Sequence, residues 1–293
     1  IREVNTGIIM ADAERLRDWL GRIDCNNAKQ EYYLPDVFPF ARAEFGEING
    51  VLAPDSADLQ GANDRVQLAA LERRYQQRMA AHLMANGVQL LDPERIDIRG
   101  SVTAGKDVVI DVNVVLEGAI SLGDRVSIGA GSVLKDCRLA AGTRVESHSV
   151  LEGVETTGPC TIGPFARLRP GTVLSSGCKV GNFVEAKNAT LGEGSKASHL
   201  SYLGDSVIGR DVNIGAGTIT CNYDGANKFQ TIIEDDVFIG SDTQLVAPVT
   251  VGKGATVGAG STVTKNAPAG SLTVSRARQT TIEGWKRPRK DKG

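Results

Sequence analysis

Apolar residues recur every six positions along most of the chain after residue 96. One register contains Ile110, Leu116, Leu122, Ile128 and Leu134, a second runs two positions earlier at Val102, Val108, Val114, Ile120 and Val126, and the period returns at Ile239, Leu245, Val251, Val257 and Val263. A six-residue period fits neither a helix nor an ordinary strand, but each hexad of a β-helix forms one short strand and one corner. We therefore predict a parallel β-helix over residues 88–275.

Glycine often follows the apolar residue of a hexad. The examples are Gly123, Gly129, Gly163, Gly181, Gly192, Gly209, Gly215, Gly240, Gly252 and Gly258. We expect these glycines at the corners, because glycine accepts left-handed backbone angles. If three hexads form one coil, residues 18 apart lie above one another at about 4.8 Å, the spacing of neighbouring strands.

Irregularities interrupt this period. The register slips by one residue between Ala186 and Leu191 and again between Leu203 and Ile208, and the polar run 221–230 breaks it altogether. That run should leave the solenoid as a loop, and insertions in solenoids tend to gather on the binding face. A tolerated surface excursion is an equally good interpretation of the pattern alone.

The residues before the β-helix predict a small α/β remnant and a helix. Within residues 1–63 we expect a strand over Glu3 to Met10, a helix from an Asp12 N-cap through Leu20, and a strand in the apolar run Ile48 to Ala53. These elements are too few for a complete sheet. Because the chain starts at Ile1 instead of methionine, we expect a fragment whose true start is missing.

Residues 64–87 predict a helix that links the two parts. Its apolar positions are spaced by three or four residues, and Gly87 supplies a stop; they are Leu68, Leu71, Tyr75, Met79 and Leu83. Asn63 is well placed to be its N-cap.

Composition excludes several classes of protein. The 293 residues carry a formal net charge of -2, which favours neither nucleic acid nor an anionic membrane, so the expected partner is a small molecule. No apolar run approaches the ~20 residues that span a bilayer. Five scattered cysteines favour neither a disulfide framework nor a zinc site, and they fit a reducing cytoplasm.

The regular spacing brings two cations together. Arg169 and Lys187 each directly follow an apolar residue of the six-residue repeat, which we call a ladder residue. The two cations are 18 residues apart with the register unbroken between them, so they should stack on adjacent coils. A guanidinium beside an ammonium makes a good phosphate clamp, and Lys228 in the loop can add a third cation. Solvated charges, or pairing with Glu185, are the alternatives.

Histidine is the natural general base near neutral pH. The chain has three, of which His82 and His148 are interpreted as structural and His199, between the two slips, as the candidate base. Residues 276–293 form a basic C-terminal tail, interpreted as solvated after Trp285. Arg276 lies closest to the repeats and can meet a phosphate.

Three longer motifs resemble a known bacterial family. They are TIGPFARLRP at 161–170, VGNFVE at 180–185 and NIGAGTITCNYDGANK at 213–228, with further similarity at 4–8 and 63–75. They look like the bifunctional enzymes that make UDP-N-acetylglucosamine, a precursor of peptidoglycan and lipopolysaccharide. Those enzymes join an N-terminal uridylyltransferase to a C-terminal glucosamine-1-phosphate N-acetyltransferase.

The resemblance implies a left-handed β-helix that assembles as a homotrimer, with acetyl-CoA bound between subunits. It makes His199 the base. It assigns the sugar phosphate, glucosamine 1-phosphate, to Arg169, Lys187, Tyr202, Asn213 and Lys228, and acetyl-CoA to Ala216, Asn222, Tyr223, Ser241, Ala259 and Arg276.

The resemblance also implies a magnesium-dependent uridylyltransferase in the parent enzyme. Its glycine-rich phosphate loop has no counterpart before Gly61. Of that site, Asn5 and Asn63 remain as expected contacts to the nucleotide sugar, and Asn63 as a magnesium ligand. We predict that this chain does not turn over UTP. An acyltransferase for another acceptor, and a non-catalytic scaffold, are the alternative functions.

Overall fold

The computed structural model describes residues 5–288 and 290. Ile1 and Glu3, the first residue of the similarity at 4–8 and positions 289 and 291–293 of the basic tail therefore lie outside the described residues. The chain divides into two compact units between Arg73 and Arg74. Among the described residues, no helix is long and apolar enough to cross a membrane.

Helices supply the regular structure in the described part of the first unit. They are α1 (Ala13–Leu20), α2 (Val37–Phe45) and short 3-10 helices at Leu34–Asp36 and Ser56–Leu59. The predicted cap of α1 is confirmed, because Asp12 Oδ1 accepts hydrogen bonds from the backbone N–H groups of Glu14 and Arg15, each at 3.1 Å.

The predicted strands of the α/β remnant are wrong for the described residues. Residues 5–10 and 48–53 contain no strand, and the side chains of Met10, Val51 and Leu52 are exposed. A strand needs hydrogen-bonding neighbours and a covered apolar face to be stable. The described part of this unit provides neither for these two runs.

The helix predicted over residues 64–87 is present as α3 (Arg65–Ala85). Its cap is Asp64 and not Asn63, since Asp64 Oδ1 accepts a hydrogen bond from the Gln67 backbone N–H at 2.7 Å. Asn63 lies one residue earlier, where its own N–H donates to Gln67 Oε1 at 2.8 Å.

The apolar stripe of α3 is only partly buried. Leu83 is buried, whereas Leu68 and Tyr75 are exposed. The helix instead docks through a polar side chain: buried Gln76 donates to the Ile98 carbonyl at 2.9 Å and accepts from the Ile98 N–H at 2.8 Å. The Gln76 amide thus has a hydrogen-bond partner for both its NH₂ group and its oxygen, as buried polar groups usually do.

Strands β1 to β26 fill the described part of the second unit after α3. Their bounds are Val88–Leu90, Ile96–Ala104, Val108–Ile110, Val114–Leu122, Ser127–Ile128, Val133–Lys135, Arg138–Leu139, Arg144–Val145, Val150–Glu152, Val154–Thr156, Thr161–Ile162, Arg167–Leu168, Thr172–Leu174, Lys179–Asn182, Glu185–Leu191, Lys196–His199, Tyr202–Ile208, Asn213–Ile214, Ile219–Cys221, Thr231–Ile233, Phe238–Ile239, Gln244–Val246, Val249–Val251, Thr256–Val257, Thr262–Val263 and Leu272–Thr273.

Two parallel sheets wrap the solenoid in the part of the chain that the structure describes. The first has 11 strands in the order β1-β3-β5-β8-β11-β14-β16-β18-β21-β24-β26, and the second has 15. The second sheet covers two faces because long strands bend around a corner; β15, for example, pairs with both β12 and β13 of the preceding coil. The predicted parallel β-helix is confirmed, and its repeats are consistent with the left-handed form.

The core is the stack of apolar ladders inside the coils. Leu168, for example, pairs in register with Leu151 on one side and Ala186 on the other, and all three are buried. Each coil covers the apolar ladder residues of its neighbours. The stacking of the coils therefore fixes the spacing, along the solenoid axis, of the residues exposed at the corners and on the faces.

The explanation predicted for the glycines is wrong. Among the ten that follow ladder residues, only Gly163 has a positive φ. At Gly181 a Cβ atom would lie 1.9 Å from the Ser198 carbonyl oxygen of the next coil, so close packing excludes a side chain there. The left-handed corners are occupied by other residues, such as Asn188 and Asp205, both at φ 47°. Asn and Asp tolerate that conformation better than most residues.

The two predicted register slips are confirmed, and two more were missed. The ladder also shortens by one residue between Leu134 and Leu139 and between Leu151 and Thr156. Thr156 takes a ladder position although it is polar. It is buried, and its Oγ1 accepts a hydrogen bond from the Ala140 N–H at 2.7 Å.

Candidate functional site

One corner of the β-helix stacks His199 on Asn182. Asn182 ends β14 and His199 ends β16, and the two residues are register partners. Asn182 Oδ1 lies 2.7 Å from His199 Nδ1. An amide oxygen only accepts hydrogen bonds, so Nδ1 carries the proton and Nε2 of the neutral imidazole is left as an acceptor. The His199 side chain is exposed, which leaves Nε2 within reach of a substrate.

The same corner column continues through the residues expected at acetyl-CoA. The strand register places Ala216 one coil beyond His199, then Ser241, then Ala259. Arg276 closes the column, since its Nη1 donates to the Ala259 carbonyl oxygen at 2.6 Å. Four of the six expected acetyl-CoA residues thus form one line that starts at the candidate base.

Arg169, Lys187 and Lys228 form a second feature, which we call the cationic cluster. The strands before Arg169 and Lys187 pair in register, so the predicted stacking is present. Lys228 lies close to Lys187 and is the largest cause of a lowered Lys187 pKa, to which Arg169 adds. Arg169 Nη1 also donates to Glu185 Oε1 at 2.9 Å, so stacking and pairing occur together. Three cations held this close favour binding of an anion.

The polar run leaves the solenoid as a loop, as predicted. Ile208 pairs with Ile233, which lies 25 residues further on, whereas 17 residues separate Leu191 from Ile208. The loop closes on itself through an antiparallel bridge between Tyr223 and Lys228. This bridge returns Lys228 to the solenoid surface.

Asp205 joins the loop to the coils. Its Oδ1 accepts from Asn188 Nδ2 at 2.7 Å, and its Oδ2 accepts from Asn222 Nδ2 at 2.5 Å. Partial burial raises the pKa of this carboxyl, but the hydrogen bonds from Asn188 and Asn222, helped by Lys228 and Lys187, outweigh burial and hold the pKa below its usual value. Asp205 is therefore a carboxylate at neutral pH.

Gly204 lets two expected site residues approach each other. A Cβ atom on Gly204 would lie 2.4 Å from the Tyr202 hydroxyl oxygen and 2.8 Å from Asn222 Nδ2. Gly204 is also the register partner of Lys187. The absence of a side chain here opens the space that the Tyr202 hydroxyl and the Asn222 amide occupy beside the cationic cluster.

Other predicted site residues lie elsewhere in the chain. Asn213 stands on the first sheet, between its register partners Lys196 and Phe238, away from the strands that carry Lys187 and Tyr202. Tyr223 is exposed and donates its hydroxyl hydrogen bond to the Gly225 carbonyl of its own loop.

Asn5 and Asn63 belong to the first unit, and both side chains are exposed. Magnesium prefers several oxygen ligands in octahedral geometry, usually with carboxylates. In the described residues, no group of three His, Cys, Asp or Glu side chains is placed to hold a metal ion. Asn63 alone does not fit a magnesium site.

Four residues of the site were missed in the sequence: Asn182, Asn188, Gly204 and Asp205. A usable signal existed. Where the ladder slips, the coil is 17 residues long, and counting back 17 residues from His199 gives Asn182. The same step connects Asn188, Asp205 and Asn222.

Part of the repeat region matches a known family model. A family model described as "Bacterial transferase hexapeptide (six repeats)" matches residues 230–265. A solved structure of Francisella novicida UDP-N-acetylglucosamine acyltransferase aligns with 64% of this chain and 65% of its own, at 14% identity and a TM-score of 0.35.

Two curated relatives match nearly the whole chain. It is 59% identical over 290 residues to "Bifunctional protein GlmU" of Stenotrophomonas maltophilia (strain K279a), covering 99% of this chain and 64% of the relative. It is 56% identical over 292 residues to the protein of the same name from Aromatoleum aromaticum (strain DSM 19018 / LMG 30748 / EbN1), covering 100% and 64%. The chain thus matches a part of the bifunctional GlmU proteins, about 64% of their length, and the resemblance stated from its motifs is confirmed.

Proposed function

We propose that the chain is an acetyltransferase that moves the acetyl group of acetyl-CoA to the amine of glucosamine 1-phosphate. The product, N-acetylglucosamine 1-phosphate, then serves UDP-N-acetylglucosamine synthesis. The observation that carries the proposal is that an exposed, oriented imidazole at His199 and the cationic cluster both occur on this stretch of coils.

The cationic cluster is suited to the phosphate of the acceptor. Arg169 offers a planar guanidinium, and Lys187 and Lys228 offer two ammonium groups. A dianionic phosphate between them relieves their mutual repulsion, which a neutral acceptor cannot do. Tyr202, on the strand that pairs with that of Lys187, completes the proposed sugar-phosphate site.

The corner column is suited to a long acyl carrier. Ala216, Ser241 and Ala259 are small, so a pantetheine arm can lie along the column and bring its thioester towards His199. Arg276 at the far end supplies a cation for a phosphate of CoA. Asn222 and Tyr223 approach from the loop.

The proposed mechanism is direct transfer. The amine lone pair attacks the thioester carbonyl carbon, and His199 Nε2 takes the proton that the nitrogen gives up. The tetrahedral intermediate collapses, the carbon–sulfur bond breaks, and the CoA thiolate leaves and is protonated. A general base of this kind typically increases the reaction rate by about 100- to 10,000-fold.

A trimer with acetyl-CoA between subunits is part of the proposal. Support comes from an exposed aromatic column beside the His199 corner, in which Phe165 and Phe183 stack with ring centroids 5.4 Å apart. Phe183 is 57% exposed and Leu200, next to His199, is 61% exposed. Contiguous apolar surface of this kind marks interaction sites. Light scattering tests this, with Phe183→Glu expected to give monomers that lack activity.

We place the reaction in the cytoplasm. All five cysteines of the chain are free, which suits a reducing compartment.

The test of the proposed function is an acceptor comparison. Purified protein is incubated with acetyl-CoA and one of glucosamine 1-phosphate, glucosamine or serine, and the acetylated product is identified by mass spectrometry. We expect acetylation of glucosamine 1-phosphate with a kcat/KM far above that of the acceptors without a phosphate. Preference for an uncharged acceptor contradicts the proposal, and the absence of both CoA binding and turnover supports the scaffold alternative.

A further inference from the structure

Asp205 lies between two parts of the proposed site. It occupies a left-handed corner at φ 47°, in a column with Asn188 on the coil below and Asn222 at the root of the loop. Asn188 and Asn222 each direct an amide Nδ2 to one of its two oxygens. The column therefore connects the solenoid to the loop through one carboxylate.

This contact fixes which way the Asn222 amide faces. A carboxylate has no proton to donate at neutral pH, so Asn222 must turn its NH₂ group towards Asp205 and its Oδ1 away. Asn222 is 8% exposed, and its Oδ1 accepts no hydrogen bond from the described residues. That oxygen is available to a substrate N–H.

Asp205 also carries a charge beside the cationic cluster. Lys228 and Arg169 lower the pKa of Lys187, and the Asp205 carboxylate opposes them by raising it. Its hydrogen-bond donors are neutral amides, so they leave the negative charge in place. On Coulomb grounds alone, removal of this charge strengthens phosphate binding.

We propose that Asp205 is a positioning residue of the acetyl transfer: it holds the Asn222 carboxamide with Oδ1 directed to the acetyl-CoA and acceptor side. Asp205 itself touches neither substrate. The inference rests on the proposed function and deepens it, because it names a residue that acts on the reaction through Asn222.

The test separates positioning from simple charge. Asp205→Asn keeps the shape but allows either end of the new amide to face Asn222, so the Asn222 orientation is lost. We expect kcat to fall roughly tenfold or more, while KM for glucosamine 1-phosphate stays the same or falls. Asp211→Asn is the matched control, since Asp211 also sits in a left-handed corner, at φ 54°, and should keep full activity.

A double-mutant cycle tests whether the effect passes through Asn222. In an Asn222→Ala background, Asp205→Asn should cause no further loss of kcat. An equal fold loss in both backgrounds overturns the proposal, as does a wild-type kcat in Asp205→Asn. If Asp205→Asn does not fold, as judged by circular dichroism, Asp205→Gly suits the backbone conformation and is judged by the same outcomes.

The failure of the proposed function is distinguishable from the failure of this inference. If the unmodified chain releases no CoA thiol in the presence of glucosamine 1-phosphate, the function is wrong. If the unmodified chain is active and Asp205→Asn equals it, only the role of Asp205 is wrong.

Discussion

Asn182 Oδ1 accepts a hydrogen bond from His199 Nδ1 at 2.7 Å, across two adjacent coils of the β-helix. The partner of the imidazole is a neutral amide, where many catalytic histidines have a carboxylate. The amide orients the ring and selects the tautomer without adding a charge that stabilises the protonated imidazole. This arrangement suits a base that must be neutral to act.

Asn182→Asp tests the value of that neutrality. A carboxylate beside the imidazole stabilises its protonated form, by about one to three pH units for a close pair. We expect the acid limb of the kcat/KM profile to move to higher pH, with the largest loss of activity below pH 7. The measurement is kcat/KM against pH for both proteins, and an unchanged acid limb contradicts His199 as the base.

Lys187→Met should weaken binding of the acceptor, glucosamine 1-phosphate, and leave binding of acetyl-CoA unchanged. The change removes one charged hydrogen-bond donor from the phosphate, worth about 1.5–3 kcal/mol, or roughly 10- to 100-fold. We expect KM for glucosamine 1-phosphate to rise by that factor while KM for acetyl-CoA is unchanged. Lys179→Met is the control, because Lys179 lies on the first sheet. A rise in both KM values contradicts the assignment.

High pH should mimic Lys187→Met in the unmodified chain. Lys228 and Arg169 hold the pKa of Lys187 below that of an ordinary lysine. Lys187 is charged below that lowered pKa and loses its charge as the pH rises through it. KM for glucosamine 1-phosphate should therefore start to rise at a lower pH than an ordinary lysine would dictate. In Lys187→Met this alkaline rise should be smaller.

Gly204→Ala should damage activity more than stability. The added Cβ would meet the Tyr202 hydroxyl at 2.4 Å and Asn222 Nδ2 at 2.8 Å, and the ends of both side chains must move. We expect at least a tenfold loss in kcat/KM, by analogy with other small misplacements, with a normal thermal unfolding midpoint. Gly50→Ala is the control, since its Cβ would meet nothing within 4 Å. Wild-type activity in Gly204→Ala would show that the placement of Tyr202 and Asn222 around Gly204 is not needed.

Arg276→Ala should weaken binding of the cosubstrate, acetyl-CoA. Its Nη1 reaches the Ala259 carbonyl at the end of the corner column, where a CoA phosphate is proposed to bind. We expect CoA affinity in calorimetric titration to fall about tenfold. Arg278→Ala, two residues further along the tail, should bind CoA normally. Equal losses in both variants would indicate a diffuse charge effect of the tail.

The sequence predicted the solenoid well, because a buried ladder with a fixed period leaves a direct trace in the residue pattern. The stacking of Arg169 on Lys187 followed from that period. Thr156 escaped notice because a polar residue took a ladder position. The remnant strands failed because local apolar runs contain no information on whether a partner strand is present.

The site was predictable in parts. His199 and the cations follow from residue type and register, but Asn182, Gly204 and Asp205 do not, because their roles depend on contacts between coils. A neutral amide, a glycine and a corner aspartate are common surface residues. The 17-residue coil length is what places Asn182 against His199 and Asp205 against Asn222.

The measurement that tests the central claim most directly is thiol release from acetyl-CoA, with and without glucosamine 1-phosphate, for the unmodified chain, His199→Ala and His82→Ala. His82 is an exposed histidine on α3 and serves as the matched control. The account predicts acceptor-dependent release by the unmodified chain and by His82→Ala, and a loss of about 100-fold or more in His199→Ala. Release by His199→Ala within about threefold of the unmodified chain would contradict it.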